Sequence, residues 1–401
     1  MPRGAWSDLI SRPATGLAAA AVAGLTACIG FRTGALSGGW VGVDLLLAVV
    51  GWLLASDGAT SVALRRRVAA GVAVTWRPVA VALGLAVAYV LVDEAAATDG
   101  LLRGEALALV GGYGNWHLLA LGPVEAPAVR GTLPLQHLWA VAVAVQGVAI
   151  WALVVAATRG RARRRAERRD PAIGLALVLA GAAWLVGLGA AIAGVSDQAV
   201  LVATPSRVVA LLASAALALT AHEGRGARAW SFVHATRGPA LAVLAVLAVV
   251  GDPASAVGRW SSASVVPLLA VVAVAGLAPW PESARPTPAL AAPAAPGAGV
   301  ALGVAAWLLV PPSLALVGAI LPDEADLLVI AVGLLLAVPL AAGCALGAIV
   351  APADGPAAER RRVLVPPAIV ALLVLLFSVT GAFHWEAPQT RRQWESTRGG
   401  S

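Results

Sequence analysis

The sequence predicts an all-α integral membrane protein, one bundle of about ten to eleven transmembrane helices. Three observations carry that expectation. Of 401 residues, 60% are apolar and only 12% charged, against roughly 25% charged in a soluble domain. Apolar runs of about 17 to 25 residues recur, each able to cross a roughly 30 Å hydrocarbon layer as a helix, the form that leaves no backbone polar group unpaired there. The 28 basic residues, all arginine, gather in alternate connections between the runs, as insertion topology requires.

Taken in order, the first run is about Thr15 to Gly30. It resembles a signal-peptide core but lacks a small-residue cleavage site, so it is expected to remain as a span. The second is about Trp40 to Ala55, and Arg65, Arg66, Arg67 and Arg77 then mark one side of the membrane. The third is about Val79 to Val92. A long polar connection from Asp93 to Leu133 follows, within which Ala106 to Leu121 is apolar enough to lie in the interface or dip inwards. The fourth span, Pro134 to Ala157, ends in RGRARRRAERR, with seven arginines in eleven residues.

The fifth and sixth spans are Ala172 to Val195 and about Ala199 to Ala221, and the short seventh is Pro239 to Gly251. The eighth covers Val265 to Trp280, before a Pro- and Ala-rich linker unsuited to regular helix. The last three are near Val300 to Leu321, Leu327 to Val350 and Val363 to Phe383. Residues 1–383 thus read as one transmembrane domain, and 384–401 as a short polar tail.

Charge counting orients the chain. With a cytoplasmic N-terminus, inner segments hold 20 of the 28 arginines, outer segments seven, and Arg207 lies inside a span. Acidic residues divide the other way, about twelve outside and eight inside. A multi-pass protein of the plasma membrane is the expected setting. The net charge of +7 therefore reflects topology, and no aromatic-basic module accompanies it, so nucleic-acid binding is not expected. Cys28 and Cys344 sit inside apolar runs and read as small buried hydrophobes, with no disulfide or metal spacing. No GxSxG elbow, HExxH, Walker loop or CxxC is present.

Polar groups interrupt the apolar pattern at a few places. Asp44 lies in the second span and Arg207 in the sixth. An unpaired charge at that depth costs at least about 2.5–3.5 kcal/mol, so the two are expected to pair with each other or with polar loops, either lining a substrate pocket or tying two helices. Asn115, Trp116 and His117 stand in YGNWH, as loop caps or as pocket residues. His137, Trp139 and Gln146 stand in PLQHLWAVAVAVQ; the first two fit a pocket or an aromatic belt. The arginine run after the fourth span suits the phosphates of coenzyme A or an anionic lipid surface.

SGGWVGVD before an apolar span, the RRR cluster, NW, PLQHLWAVAVAVQ with Trp151 following, and PSRVVALLASAALAL together resemble the acyltransferase family 3 membrane proteins, over roughly Thr15 to Ala221. That resemblance implies a bundle of about ten spans that moves an acyl group, commonly acetyl from acyl-CoA, onto an extracytoplasmic glycan or lipid. It implies Asp44, Asn115, Trp116, His117, Trp139, Gln146 and Arg207 as the substrate-binding set; His137, or else His117, stands in as the candidate catalytic base, though neither lies where the family has its base. No metal is implied. The chain departs from the family where proton handling resides. Members carry a histidine ending the first span, whereas the first histidine here is His117. Members carry two glutamates in the fourth-span motif, at the positions of Ala144 and Val145. An acidic residue often follows the sixth-span arginine by three, where this chain has Ala210.

Two functions follow. One is an acyltransferase using cytoplasmic acyl-CoA near the arginine clusters and an outer pocket near His137. The other is a non-catalytic accessory or a carrier of a lipid or glycan, which keeps the bundle without the base. A transporter unrelated to enzymes is a third.

Overall fold

The computed structural model describes residues 15–32, 35–92, 101–121, 134–162, 170–224, 227–252, 255–278, 298–322 and 325–350. Every regular element among them is helical. In chain order they are α1 (Thr15–Arg32), α2 (Val41–Ala55), α3 (Ser61–Val92), α4 (Leu101–Val110), α5 (Gly114–Leu121), a 3-10 turn (Gln136–Leu138) leading into α6 (Trp139–Ala162), and α7 (Pro171–Ile192). There follow α8 (Asp197–Val202), α9 (Thr204–His222), α10 (Ala227–Val250), α11 (Ala256–Ala263), α12 (Val265–Leu277), α13 (Ala298–Ile320) and α14 (Asp326–Val350).

Seven helices among the described residues are long and apolar enough to cross a membrane, or eight if α11 and α12, bent by 50° at Ser264, act as one span. The molecule is a multi-pass helical membrane protein. The expected eleven spans resolve unevenly. Seven match the long helices and the eighth matches the bent pair. The first two are shorter, with apolar helix only over Gly16–Phe31 and Val41–Ala55, each under about 25 Å at 1.5 Å per residue. The third is the second half of one 32-residue helix. The eleventh run and the 384–401 tail lie outside the described residues.

The helices form an inner and an outer set. Residues 199–222 and 300–320, containing α9 and α13, have 72% of their apolar window buried, against 22–39% for the other five long helices. α9 therefore sits at the centre, packed on α2, α7, α12 and α6. Close packing there depends on absent side chains. A Cβ at Gly39 would strike the carbonyl of Ala27 on α1, and one at Gly51 the carbonyl of Leu211 on α9. Small residues that let backbones approach replace the hydrophobic driving force missing between helices in lipid.

One end of the bundle is fixed by three contacts. Gly58, with φ +91°, turns the chain beside His222 at the end of α9. The Asp170 amide donates to Glu223 Oε1 at 2.8 Å. Arg67 pairs with Asp57 at 2.8 Å. At the other end, Gly38 N donates to Ala248 O at 3.1 Å and Ser37 Oγ to Val249 O at 2.9 Å, holding the start of α2 against the end of α10. The candidate functional residues lie towards that second end.

Candidate functional site

The site starts from a broken helix. α8 has only six residues, its first turn capped by Ser196, whose hydroxyl accepts from Ala199 N at 3.3 Å. Ala203 is extended at ψ 138°, and Pro205, in the first turn of α9, has no amide hydrogen to continue the ladder. The last carbonyls of α8 thus lack intrahelical partners. Side chains take them up: Ser206 Oγ donates to Val200 O at 2.6 Å, Arg207 Nε to Leu201 O, and Asn115 Nδ2 to Val202 O at 3.2 Å.

Arg207, held at that break, reaches across to α2. Its Nη1 donates to Asp44 Oδ2, and both side chains are wholly buried. The guanidinium lies over the Trp40 ring, 5.6 Å from its centroid. Asp44 stands in the first turn of α2, where the positive end of the helix dipole favours a carboxylate. The contact joins α2 to α9 away from solvent. Arg207 Nη2, Asp44 Oδ1 and Trp40 Nε1 have no hydrogen-bond partner among the described residues.

One turn outward, four side chains close a network. Gln146 Nε2 donates to Asn115 Oδ1 and to Gly112 O, each at 2.8 Å. Asn115 Nδ2 also donates to Thr204 Oγ1 at 2.9 Å, Thr204 donates to Gln146 Oε1, and Trp116 Nε1 reaches the same oxygen at 3.3 Å. Every donor of the Gln146 and Asn115 amides is used. α4 and α5 form the hairpin that presents these groups, turning at Gly112 with φ +70°. At ten and eight residues neither helix can cross a bilayer. The hairpin tip is pinned at Gln146, about 10 Å along α6 from Trp139.

Between the hairpin and the start of α6 lies a cleft of about 10 Å³, room for roughly one water. Glu105, His117, Gln136 and Trp139 supply its polar and aromatic wall. Glu105 is buried at 5% exposure. His117 Nε2 is buried without a hydrogen bond among the described residues, and burial lowers its pKa below the ordinary 6.5. The ring lies against Gly104, where a Cβ would come within 2.7 Å of Cε1.

The residues expected from sequence thus fall into three adjoining groups: Asp44 with Arg207, Asn115 with Trp116 and Gln146, and His117 with Trp139. His137 lies in the 3-10 turn between Gln136 and Leu138. It is buried, and its ring stands edge-on to Trp307 of α13, centroids 5.9 Å apart. Ala210 is fully buried, while Val145 is half exposed. Sequence reasoning did not single out Glu105, Thr204, Gln136 or Trp307 as site residues. Glu105 carried a signal, being the one carboxylate within the apolar stretch LLRGEALALV; Thr204 and Trp307 carried none apart from their surroundings. Among the described residues, no three His, Cys, Asp or Glu side chains come together as a metal site. Compared with protein-family models, with curated proteins and with solved structures, the chain matches none.

Proposed function

We propose that this chain is a membrane-embedded acyltransferase of the acyltransferase family 3 type. On this reading it moves an acyl group from acyl-CoA on the cytoplasmic side to a glycan or lipid hydroxyl on the outer side of the plasma membrane. The observation that supports the reading is convergence. Four stretches separated by up to 163 residues, SGGWVGVD, YGNWH, PLQHLWAVAVAVQ and PSR, meet at one end of the bundle through the Asp44–Arg207 pair and the Asn115–Gln146–Thr204 network.

In this reading Asp44 and Arg207 hold α2 to α9, and Asn115, Trp116 and Gln146 seat the hairpin. Trp139 and His117 face the acceptor, and His137 lies between two cleft residues, Gln136 and Leu138. Acyl-CoA supplies the activated thioester, and arginines of the cytoplasmic segments meet its phosphates.

The test uses full-length protein in lipid nanodiscs with labelled acetyl-CoA and an envelope lipid extract. Release of free thiol with transfer of label, lost in Asn115→Ala and Gln146→Ala, is the expected result. No turnover from folded protein would favour the second reading, a non-catalytic accessory or carrier. A specific observation favours that alternative: the cleft admits about one water and Ala144 and Val145 stand where the family carries glutamates.

A further inference from the structure

We infer that the α4–α5 hairpin is a lid over the outer cleft, latched onto α6 by Gln146 and Asn115, and that its tip and α5 lift from α6 to admit the acceptor. The inference rests on the acyl-transfer reading for what enters the cleft, and not for the motion itself.

The cleft between the hairpin and the start of α6 has about 10 Å³ of room, enough for one water and too little for a hydroxyl with a glycan or a lipid behind it. One wall must therefore move. On one side stand the 3-10 turn and α6, a 24-residue helix packed on α9, α7, α2 and α3. On the other stand α4 and α5, ten and eight residues long, too short to be anchored by crossing the bilayer. The hairpin is the wall that can yield. Leu102 and Ala106 hold α4 in the main core, so the motion belongs to the tip and α5.

α5 meets α6 without interlocking side chains. A Cβ at Gly114 would lie 3.7 Å from Ala142 Cβ, and one at Gly112 would lie 3.4 Å from Val145 Cγ1, so at these two positions the surfaces part without repacking either helix. The latch is polar instead. Gln146 Nε2 donates to Asn115 Oδ1 and to Gly112 O, each at 2.8 Å, and Asn115 Nδ2 donates to Thr204 Oγ1 at 2.9 Å and to Val202 O at 3.2 Å. Lifting the tip releases these groups, and leaving them unpaired is costly. A guest shifts such an equilibrium only by binding the open state better. An acceptor rich in hydroxyls does so by taking over the released amides and carbonyls, so opening is coupled to its arrival.

A disulfide in the full-length protein tests the lid. Gly114→Cys with Ala142→Cys, in a Cys28→Ala, Cys344→Ala background, puts two thiols at positions whose Cβ separation a disulfide spans. In nanodiscs with acetyl-CoA as donor and the envelope lipid extract as acceptor, oxidation is expected to lower turnover roughly tenfold or more. Dithiothreitol should restore the rate, and each single cysteine should stay active. Turnover that survives a fully formed bond overturns the lid and leaves the acyl-transfer reading standing. Failure of the two thiols to pair overturns the seating of α5 on α6 on which the lid depends.

Hydrogen exchange follows the motion with no activity required. Gln146→Ala is expected to speed exchange of the α5 amides roughly ten- to 100-fold while those of α7 are unchanged. Thr204→Val, which removes one bond of the latch at nearly constant shape, should give a smaller rise of the same kind. Exchange in α5 unmoved by both substitutions, in protein that stays folded, overturns the lid even if wild-type turnover is absent.

Discussion

Arg207 and Asp44 are both fully buried, and the value of each to the fold depends on whether its partner is present. Removing one member of a buried pair leaves the other charged and unsolvated, at about 3–5 kcal/mol, whereas replacing both by apolar residues of similar volume is often neutral. Asp44→Ala is therefore expected to destabilise by about 3–5 kcal/mol, and Asp44→Leu with Arg207→Met by much less. Denaturant titration of the purified protein checks both; equal losses would mean the pair is not the tie between α2 and α9. At Gln146 the reasoning differs, because its amide satisfies Asn115, Thr204 and a backbone carbonyl. Gln146→Ala should cost about 1–3 kcal/mol through the buried groups it orphans. His117 adds a pH dependence. Its folded pKa lies below the unfolded 6.5, so between the two values the unfolded chain binds more protons. Stability should be full above pH 6.5 and fall as pH drops through that window, and His117→Gln should flatten this slope. Asp44 and Arg207 are legible in the sequence because a charge inside an apolar run is costly enough to demand a partner. Glu105 is only weakly legible: it is the one carboxylate of LLRGEALALV, but in a ten-residue stretch too short to span it reads as an interfacial charge until α5 folds back over it.

Helix-level packing rests on glycines whose neighbours are backbone atoms. Gly42 approaches Gly24 O, Gly39 approaches Ala27 O and Gly51 approaches Leu211 O, so none can accept a methyl group without moving a helix. Overpacking costs about 1–3 kcal/mol or more. Gly51→Ala should lower the unfolding midpoint, while Gly181→Ala on α7, with nothing within 4 Å, should leave it unchanged or raise it, since alanine favours helix over glycine by about 1 kcal/mol. An equal response at both sites would break the argument that α2 meets α9 by backbone contact. The SGG signature and the sixth-span PSR were visible in the sequence as interruptions of apolar runs. Helix boundaries were less so. Arg65, Arg66, Arg67 and Arg77 looked like loop charges, but all lie on α3, with Arg67 paired to Asp57 and Arg77 set over the Trp76 ring at 4.9 Å. Long arginine stems carry the charge away from the helix axis, so a basic cluster need not end a helix. Composition reports apolarity and not length, so the sequence shows α1 and α2 as spans like the others, while their apolar helices cover only Gly16–Phe31 and Val41–Ala55. α2 packs against α9 and α1 against α13.

Sidedness is where the whole molecule becomes testable. Contacts divide the described residues into two ends: Asp57, Gly58 and His222 meet at one, and Ser37, Ala248, Gly112 and the α8–α9 break gather at the other. The arginine count assigns the first end to the cytoplasm. Single cysteines introduced into a Cys28→Ala, Cys344→Ala background can separate the grouping from the assignment. Tyr113→Cys and Asp252→Cys, both exposed, should react with an impermeant maleimide added to intact cells, and Asp57→Cys and His222→Cys only after permeabilisation. Were Tyr113 and Asp252 labelled from opposite sides, the packing of α10 beside α2 would fail, and the convergence that supports the proposed function with it. Were each pair to stay together but exchange sides, the bundle would stand and the charge-based orientation would fall. The cleft between the α4–α5 hairpin and the start of α6 would then lie at the cytoplasmic end, beside the thioester pool and away from any envelope acceptor. The outer glycan or lipid would then drop out as substrate.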